Sequence, residues 1–143
     1  MQQARVPLAV LLLLMSIASA VAMVRIHDDR GGQIGAYLAK YRALRQSGQR
    51  VEIDGLCASA CTLVLGSIPQ NRICVTPRAV LQFHTAWDPT PFGGPIANSD
   101  GNRILWSRYP SRIRAWITRH GGLGPNIISL SGAELAAMYP ACR

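Results

Sequence analysis

A serine between small residues and cysteines is the part of this chain whose residue types indicate chemistry. Ser59 lies at the centre of residues 57–61, which read Cys-Ala-Ser-Ala-Cys. Residues 50–54 before it have a strand pattern, and residues 59–65 have an apolar helix pattern. A serine at such a sharp junction exposes its hydroxyl beside the free N–H groups that begin the helix. The pattern therefore predicts a nucleophile with an oxyanion hole next to it.

A histidine and a pair of glycines are the candidate partners of this serine. His84 follows Ser59 by 25 residues, at the end of an apolar strand pattern, and is the candidate general base. Gly31 and Gly32 end a turn that leads into a helix, where glycine lets the backbone approach a substrate closely. One N–H of this pair, with the N–H of Ala60, would form the oxyanion hole. Plain structural roles, such as a helix N-cap for the serine and a core position for the histidine, stay open.

The elements that would position these residues alternate between strands and helices. Strand patterns cover residues 23–27, 50–54, 72–76 and 79–84, and helix patterns cover residues 34–44, 59–65, a segment from 111 and 132–138. This order predicts an α/β domain with a small, mostly parallel sheet flanked by helices. Ser131 and Glu134 form a capping-box pattern at the last helix. The Pro- and Gly-rich residues 87–95 are expected to be either a substrate rim or a plain connector.

The beginning of the chain has the pattern of an export signal. Arg5 precedes an apolar run at residues 8–15, and small residues at 19–22 suit a signal-peptidase site. We therefore expect residues 1–22 to be a signal peptide and residues 23–143 to be one domain, located in the periplasm or secreted. The apolar run is short for a membrane span, so an association with the membrane is expected only through an uncleaved signal.

The four cysteines all lie after the signal and indicate two disulfides in an oxidising compartment. They are Cys57, Cys61, Cys74 and Cys142. We expect Cys57 and Cys61 to bridge outward, to Cys74 and Cys142, with the choice of partner open. Their spacing lacks the Cys-x-x-Cys pattern typical of zinc sites, so neither a metal nor another cofactor is expected.

The charge of the chain is strongly basic, with 15 Lys and Arg residues against 7 Asp and Glu residues and a net charge of +8. A solvated basic surface is the simpler interpretation, and attraction to an anionic partner is the other. The sequence has no nucleic-acid-binding motif, and export also argues against a nucleic-acid partner.

The same segments resemble the Clp protease-like part of the crotonase superfamily, and within it exported bacterial proteins with a Cys-Ala-Ser-Ala-Cys elbow. The likeness is carried by residues 28–32, 58–60 and 81–84 and, more weakly, by residues 130–135. It covers residues 24–138, with a poor match in the middle loop. It implies a Clp protease-like, crotonase-type α/β fold that is truncated at its N-terminal side, because the signal stands where Clp proteases have further strands.

The resemblance also implies a function and a role for each candidate residue. Ser59 would be the nucleophile and His84 the base of a serine hydrolase that acts on a peptide or another acyl bond through an acyl-enzyme. Gly31 or Gly32, together with Ala60, would form its oxyanion hole. Because Clp-type rings assemble through a helix that follows the histidine, a homo-oligomer is a further expectation.

One departure from the family concerns the third catalytic residue, an aspartate that has no counterpart before the last helix. Asn126 is an uncharged candidate for this place, and Asp88 and Asp100 are candidates from the loop region after His84. Without an orienting acid, a catalytic histidine loses tautomer control and rate. The alternative is therefore a catalytically degenerate binding or assembly module that is stabilised by disulfides. We adopt the hydrolase interpretation because the spacing of Ser59 and His84 is intact.

Overall fold

The computed structural model describes residues 22–143. The signal predicted at residues 1–22 falls almost wholly outside this range, so that assignment stays a prediction. Within the described residues, no helix is both long enough and apolar enough to cross a membrane.

Short strands alternate with helices along the described chain. The strands are β1 (Met23–Ile26), β2 (Arg50–Ile53), β3 (Leu56–Ala58), β4 (Ile73–Val75), β5 (Val80–Phe83), β6 (Trp87–Pro89), β7 (Pro95–Ala97) and β8 (Ile128–Ser131). The α-helices are α1 (Ile34–Gln46), α2 (Val64–Ser67), α3 (Ser99–Arg108), α4 (Ser111–Arg119) and α5 (Gly132–Ala136). Two 3₁₀ segments, Ser59–Leu63 and Gln70–Arg72, precede α2 and β4.

The strands form small sheets whose pairing is mostly parallel. The first sheet has the order β1-β2-β4, and all its strands are parallel. The second has the order β3-β5-β8, in which β3 and β5 are parallel and β8 is antiparallel. A separate antiparallel hairpin consists of β6 and β7. The predicted α/β class and the mostly parallel pairing are confirmed.

The strands are divided between two main sheets because the chain changes direction after β2 and again after β4. Residues 54–55 lead from β2 in the first sheet to β3 in the second, and residues 76–79 lead from β4 to β5. Hydrogen bonds from Asp54 N to Ile26 O and from Val80 N to Gly55 O hold the ends of these turns. The second sheet therefore begins directly before the serine.

The core lies between the sheets and the helices that cover them. Ile53, Leu81 and Phe83 are fully buried, as expected for parallel strands with both faces covered. The Phe83 ring packs edge-on against Tyr109, with 5.3 Å between the ring centroids, and also against Trp116. The helix expected from residue 111 is α4, and Pro110 separates it from α3.

The sequence patterns missed the strands β3 and β8, the β6–β7 hairpin and the 10-residue helix α3. β3 has 3 residues and begins directly after the turn at residues 54–55, so it shows no hydrophobic period of its own. The capping-box prediction is wrong, because the Ser131 side chain makes no capping hydrogen bond. Ser131 instead pairs with Val80 at the end of β8.

All four cysteines are in disulfides, as predicted, but the predicted pairing is wrong. Cys57 pairs with Cys61, and Cys74 pairs with Cys142. The 3₁₀ turn after β3 brings the Cα atoms of Cys57 and Cys61 to 5.3 Å. This distance is within the range of a disulfide, so the two cysteines can pair with each other. The C-terminal segment lies along β4, where Cys142 N donates a hydrogen bond to Val75 O.

Candidate functional site

Ser59 occupies a left-handed backbone conformation at the junction of β3 and the 3₁₀ segment. Its φ is +56°, which is uncommon for a residue with a Cβ atom and costs free energy. Ala58 before it is extended, and the first N–H groups of the following turn have no partner within that turn. The structure therefore has the sharp strand-to-helix elbow that the sequence predicts.

The Cys57–Cys61 disulfide and a tyrosine brace the elbow on one side. The disulfide joins the residues two positions before and after Ser59, and both sulfurs are buried. The hydroxyl of Tyr41, on α1, donates a hydrogen bond of 2.8 Å to the carbonyl oxygen of Cys61. Burial raises the pKa of Tyr41, so this phenol stays a donor.

A second tyrosine supports the elbow from α3. The Thr62 hydroxyl donates a hydrogen bond of 2.6 Å to the carbonyl oxygen of Ser59. The hydroxyl of Tyr109 lies 2.8 Å from Thr62 Oγ1, and since that threonine proton is already donated, Tyr109 is the donor. Burial raises the pKa of Tyr109 to about 12. Helices on both sides of the serine thus hold its backbone in place.

The glycine turn is pressed directly against the elbow. Asp29 N donates to Leu56 O and Ala58 N donates to Asp29 O, each at 2.8 Å, so the turn runs along β3 like a further strand. A Cβ atom on Gly31 would lie 2.6 Å from Ala58 O and 2.9 Å from Ser59 Cβ. Its φ is +84°. Both the space and the backbone conformation therefore require glycine at this position.

The two glycines differ in what their N–H groups do. Gly31 N donates a hydrogen bond of 2.9 Å to Asp29 Oδ1, so this donor is occupied. For Gly32, no N–H partner is found among residues 22–143, and Gly32 borders the same cavity as Ser59. Of the two expected oxyanion donors, Gly32 is therefore the one that is free.

The carboxylate of Asp29 organises this turn. It also accepts a hydrogen bond from the Tyr37 hydroxyl, and Lys40 Nζ lies 3.5 Å from its other oxygen. Burial acts to raise the pKa of Asp29, but the hydrogen bonds from Tyr37 and Gly31 and the charge of Lys40 outweigh it, and the pKa lies below its ordinary value. Burial and the bond to Asp29 raise the pKa of Tyr37 to about 12.

His84 directly follows β5, and its ring is oriented by the next residue. Its Nδ1 lies 2.8 Å from the carbonyl oxygen of Thr85. Since a carbonyl oxygen only accepts, Nδ1 carries the proton and Nε2 has the free lone pair. Thr85 is itself held by a bond of 2.8 Å from its N–H to Gly124 O. The neutral ring thus has the tautomer that a general base needs.

Ser59 and His84 line one cavity of about 700 Å³, together with Gly31 and Gly32. In the part of the chain that the structure describes, no hydrogen bond joins the Ser59 hydroxyl to the His84 ring. Catalytic hydrogen bonds are often long before a substrate binds and tighten afterwards. The structure therefore brings the candidate nucleophile, the candidate base and the glycine pair to one cavity, whereas Ala60 is not among the residues that line it.

None of the three candidates for the third catalytic residue contacts His84 through a hydrogen bond. Asp88 lines the same cavity, but its carboxylate accepts a bond of 3.1 Å from Asn98 Nδ2. Asp100 pairs with Arg103 at the surface. Asn126 is exposed and is not among the residues that line the cavity. The hydrogen-bond partner of the His84 ring is instead the backbone carbonyl of Thr85.

No family model matches the sequence, and none of the curated proteins matches it.

Sequence reasoning missed the residues that support the site. In the sequence, Asp29 lies in the turn that Gly31 and Gly32 end, and Tyr37 lies within the helix pattern of residues 34–44. Thr62 and Tyr109 gave no signal, because their hydroxyls meet across 47 residues of chain. A short polar residue two positions before a glycine pair is a signal that points to Asp29, since such side chains commonly bond the backbone of a turn.

One cluster of potential metal ligands occurs within the described residues. Glu52 lies with the sulfurs of Cys74 and Cys142, and their ligand atoms are within 4.8 Å of one another. Because both sulfurs are in a disulfide, neither is a thiolate ligand.

Proposed function

We propose that this chain is an exported serine hydrolase, peptidase-like in type, that uses Ser59 and His84 as a dyad on a Clp protease-like fold. The observation that carries the proposal is the strained elbow of Ser59, with Gly31 pressed against it and His84 on the same cavity. Strained residues of this kind cluster at active sites.

The reaction would proceed through an acyl-enzyme. Ser59 Oγ attacks the acyl carbon while its proton passes to Nε2 of His84, and the N–H groups of Ala60 and Gly32 stabilise the oxyanion. The tetrahedral intermediate collapses, and the leaving group departs with the proton from Nε2. Water then attacks the carbonyl carbon of the acyl-enzyme and gives its proton to Nε2. The second intermediate collapses, the acid is released, and Ser59 Oγ takes the proton back from Nε2.

The Thr85 carbonyl holds the tautomer of His84 but has no full negative charge to stabilise the imidazolium. We therefore expect turnover to be orders of magnitude slower than in an enzyme with a complete triad. A reactive covalent probe is the more sensitive test, because it needs only the first step.

The test is labelling of the purified, oxidised protein, residues 23–143, with a fluorophosphonate. We expect covalent labelling of Ser59, none in Ser59→Ala and a loss of at least about a hundredfold in rate in His84→Ala. Ser107→Ala, an exposed serine on α3, is the matched control and should label like the wild type. Intact-mass and peptide mass spectrometry locate the adduct.

The catalytically degenerate module is the second candidate. It is favoured by the absence of a carboxylate on His84 and of a bond from His84 to Ser59 within residues 22–143. For this candidate, a folded protein with both disulfides would remain unlabelled, or would label equally in the Ser59→Ala variant. Either result would end the hydrolase proposal.

Location and assembly complete the proposal. Two disulfides are typical of proteins in oxidising compartments, which supports the periplasm or the exterior of the cell. We also propose a homo-oligomer, by analogy with Clp-type rings, and its mass in solution by light scattering tests this.

A further inference from the structure

A second cavity is also lined by His84. Its volume is also about 700 Å³, which is within the range of small-molecule sites. It shares His84, Ala86, Trp87 and Pro89 with the cavity of Ser59, so the two cavities adjoin each other. The β6–β7 hairpin, which was expected to be a rim or a connector, forms one wall of it.

The lining of this second cavity is largely apolar. Its large side chains are Trp87, Ile96 and Ile127, which are 53%, 55% and 58% exposed. These side chains are half exposed on a concave surface, so an apolar ligand that removes them from water lowers the free energy of the complex. Phe92, on the same hairpin, is 99% exposed but does not line the cavity.

The chemistry of the proposed dyad determines which half of a substrate reaches this cavity. The proton that His84 takes from Ser59 is returned to the leaving atom, so that atom must lie within hydrogen-bond distance of Nε2. The acyl carbon stays beside Ser59, Gly32 and the N–H of Ala60. A group attached to the leaving atom therefore lies next to His84, which also lines the second cavity.

We propose that this cavity binds the leaving group of the substrate and selects bulky apolar ones. The substrate class is then an ester, thioester or amide whose alcohol, thiol or amine half is aromatic or branched aliphatic. This inference rests on the proposed Ser59–His84 dyad. A concave volume of this size suits such a group, whereas a flat patch would suit a second copy of the chain.

The first experiment compares two acetate esters that share the acyl group and differ in the leaving group. We expect kcat/KM for 1-naphthyl acetate to exceed that for phenyl acetate by about tenfold, because burial of each further carbon contributes up to about fourfold. In Ile127→Asn, the ratio of kcat/KM for 1-naphthyl acetate to that for phenyl acetate should fall close to the ratio of the spontaneous hydrolysis rates of the two esters. Phe92→Asn is the matched control and should keep the wild-type ratio.

A second experiment separates the cavity from the catalysis. In Ser59→Ala protein, which forms no acyl-enzyme, 1-naphthol should bind more tightly than phenol and shift the NMR methyl signals of Ile96 and Ile127. Equal binding of the two alcohols, or shifts confined to other parts of the chain, would overturn the assignment of the cavity.

The outcomes distinguish the two proposals. If the fluorophosphonate labels Ser59 and the naphthyl preference is absent or survives Ile127→Asn, the leaving-group inference is wrong and the hydrolase stands. If Ser59 is not labelled at all, the hydrolase is wrong and the leaving-group inference falls with it.

Discussion

The carboxylate of Asp29 joins parts of the candidate site that are separate in sequence. The backbone of Asp29 pairs with β3, and its carboxylate accepts hydrogen bonds from Gly31 N and from the Tyr37 hydroxyl on α1. Because Asp29 occupies the N–H of Gly31, the free N–H of the glycine pair is that of Gly32, a residue that lines the cavity. Asp29 is therefore a positioning residue for the proposed oxyanion hole.

Asp29→Asn is expected to slow fluorophosphonate labelling of Ser59 by about tenfold. A hydrogen bond to a charged group contributes roughly 1.5–3 kcal/mol, and each 1.4 kcal/mol corresponds to a factor of ten. The neighbouring Asp28→Asn is the matched control, since the Asp28 side chain is largely exposed and asparagine tolerates its φ of +49°. Equal labelling rates in the two variants would contradict the role of Asp29.

The buried carboxylate of Asp54 predicts how stability depends on pH. Hydrogen bonds from Arg78 and Thr76 lower the pKa of Asp54 to about 2. The pKa in the unfolded chain is about 3.9. Because the folded pKa is the lower one, the stabilising contribution is complete above about pH 4 and is lost as the pH falls toward 2.

Arg78→Gln should therefore lower the free energy of unfolding at neutral pH, and its difference from the wild type should shrink between about pH 4 and pH 2. Urea unfolding at a series of pH values measures this. Arg42→Gln changes an exposed arginine on α1 and should show the same pH dependence as the wild type. A pH-independent difference for Arg78→Gln would show that the arginine acts through packing alone.

At the scale of elements, the contact of α2 with the end of α3 depends on a glycine. A Cβ atom on Gly66 would lie 1.6 Å from the carbonyl oxygen of Arg108. The two helices can approach this closely only without a side chain at that point. This contact places Tyr109, and hence its hydroxyl, over the elbow.

Gly66→Ala should destabilise the protein by several kcal/mol, because backbone must move to accommodate the new atom. Gly35→Ala is the matched control on α1, where a Cβ atom would have no neighbour within 4 Å, and it should raise stability by up to about 1 kcal/mol. Thermal unfolding of both variants measures the contrast. A Gly66→Ala variant as stable as Gly35→Ala would show that the two helices are not held this closely.

At the scale of the whole molecule, the two disulfides stabilise different parts of the structure. Cys57–Cys61 spans 4 positions around the serine, whereas Cys74–Cys142 spans 68 positions and holds the end of the chain on β4. A longer closed loop restricts the unfolded chain more. The long bridge should therefore contribute more to global stability, and the short one more to the elbow.

Removal of Cys74–Cys142 by alanine substitution should cost about 4 kcal/mol, and removal of Cys57–Cys61 about 2 kcal/mol. Labelling of Ser59 should show the reverse order, slowing about tenfold only in Cys57→Ala/Cys61→Ala, because its strained backbone is then free to relax. Urea unfolding and labelling rates on both double variants test this. Equal slowing in both would mean that the short bridge has no specific effect on the elbow.

Much of the order of the elements was readable from the sequence. The periodicity around Tyr41 predicted α1, and apolar runs predicted β2, β4 and β5 within a residue or two. Helix and strand periods are local properties, which is why this worked. The division into separate sheets was not readable, since it depends on how residues 54–55 and 76–79 turn.

The sequence by itself determined the candidates for chemistry: Ser59 at an elbow, His84 at a strand end and a glycine pair before them. These depend on turn and strand patterns within a few residues. Only the tertiary structure decided the cysteine pairing, the free N–H of Gly32 and the tautomer of His84. The Cys74–Cys142 bridge depends on the packing of distant segments, and the other contacts depend on local backbone and side-chain conformations that no hydrophobic period records.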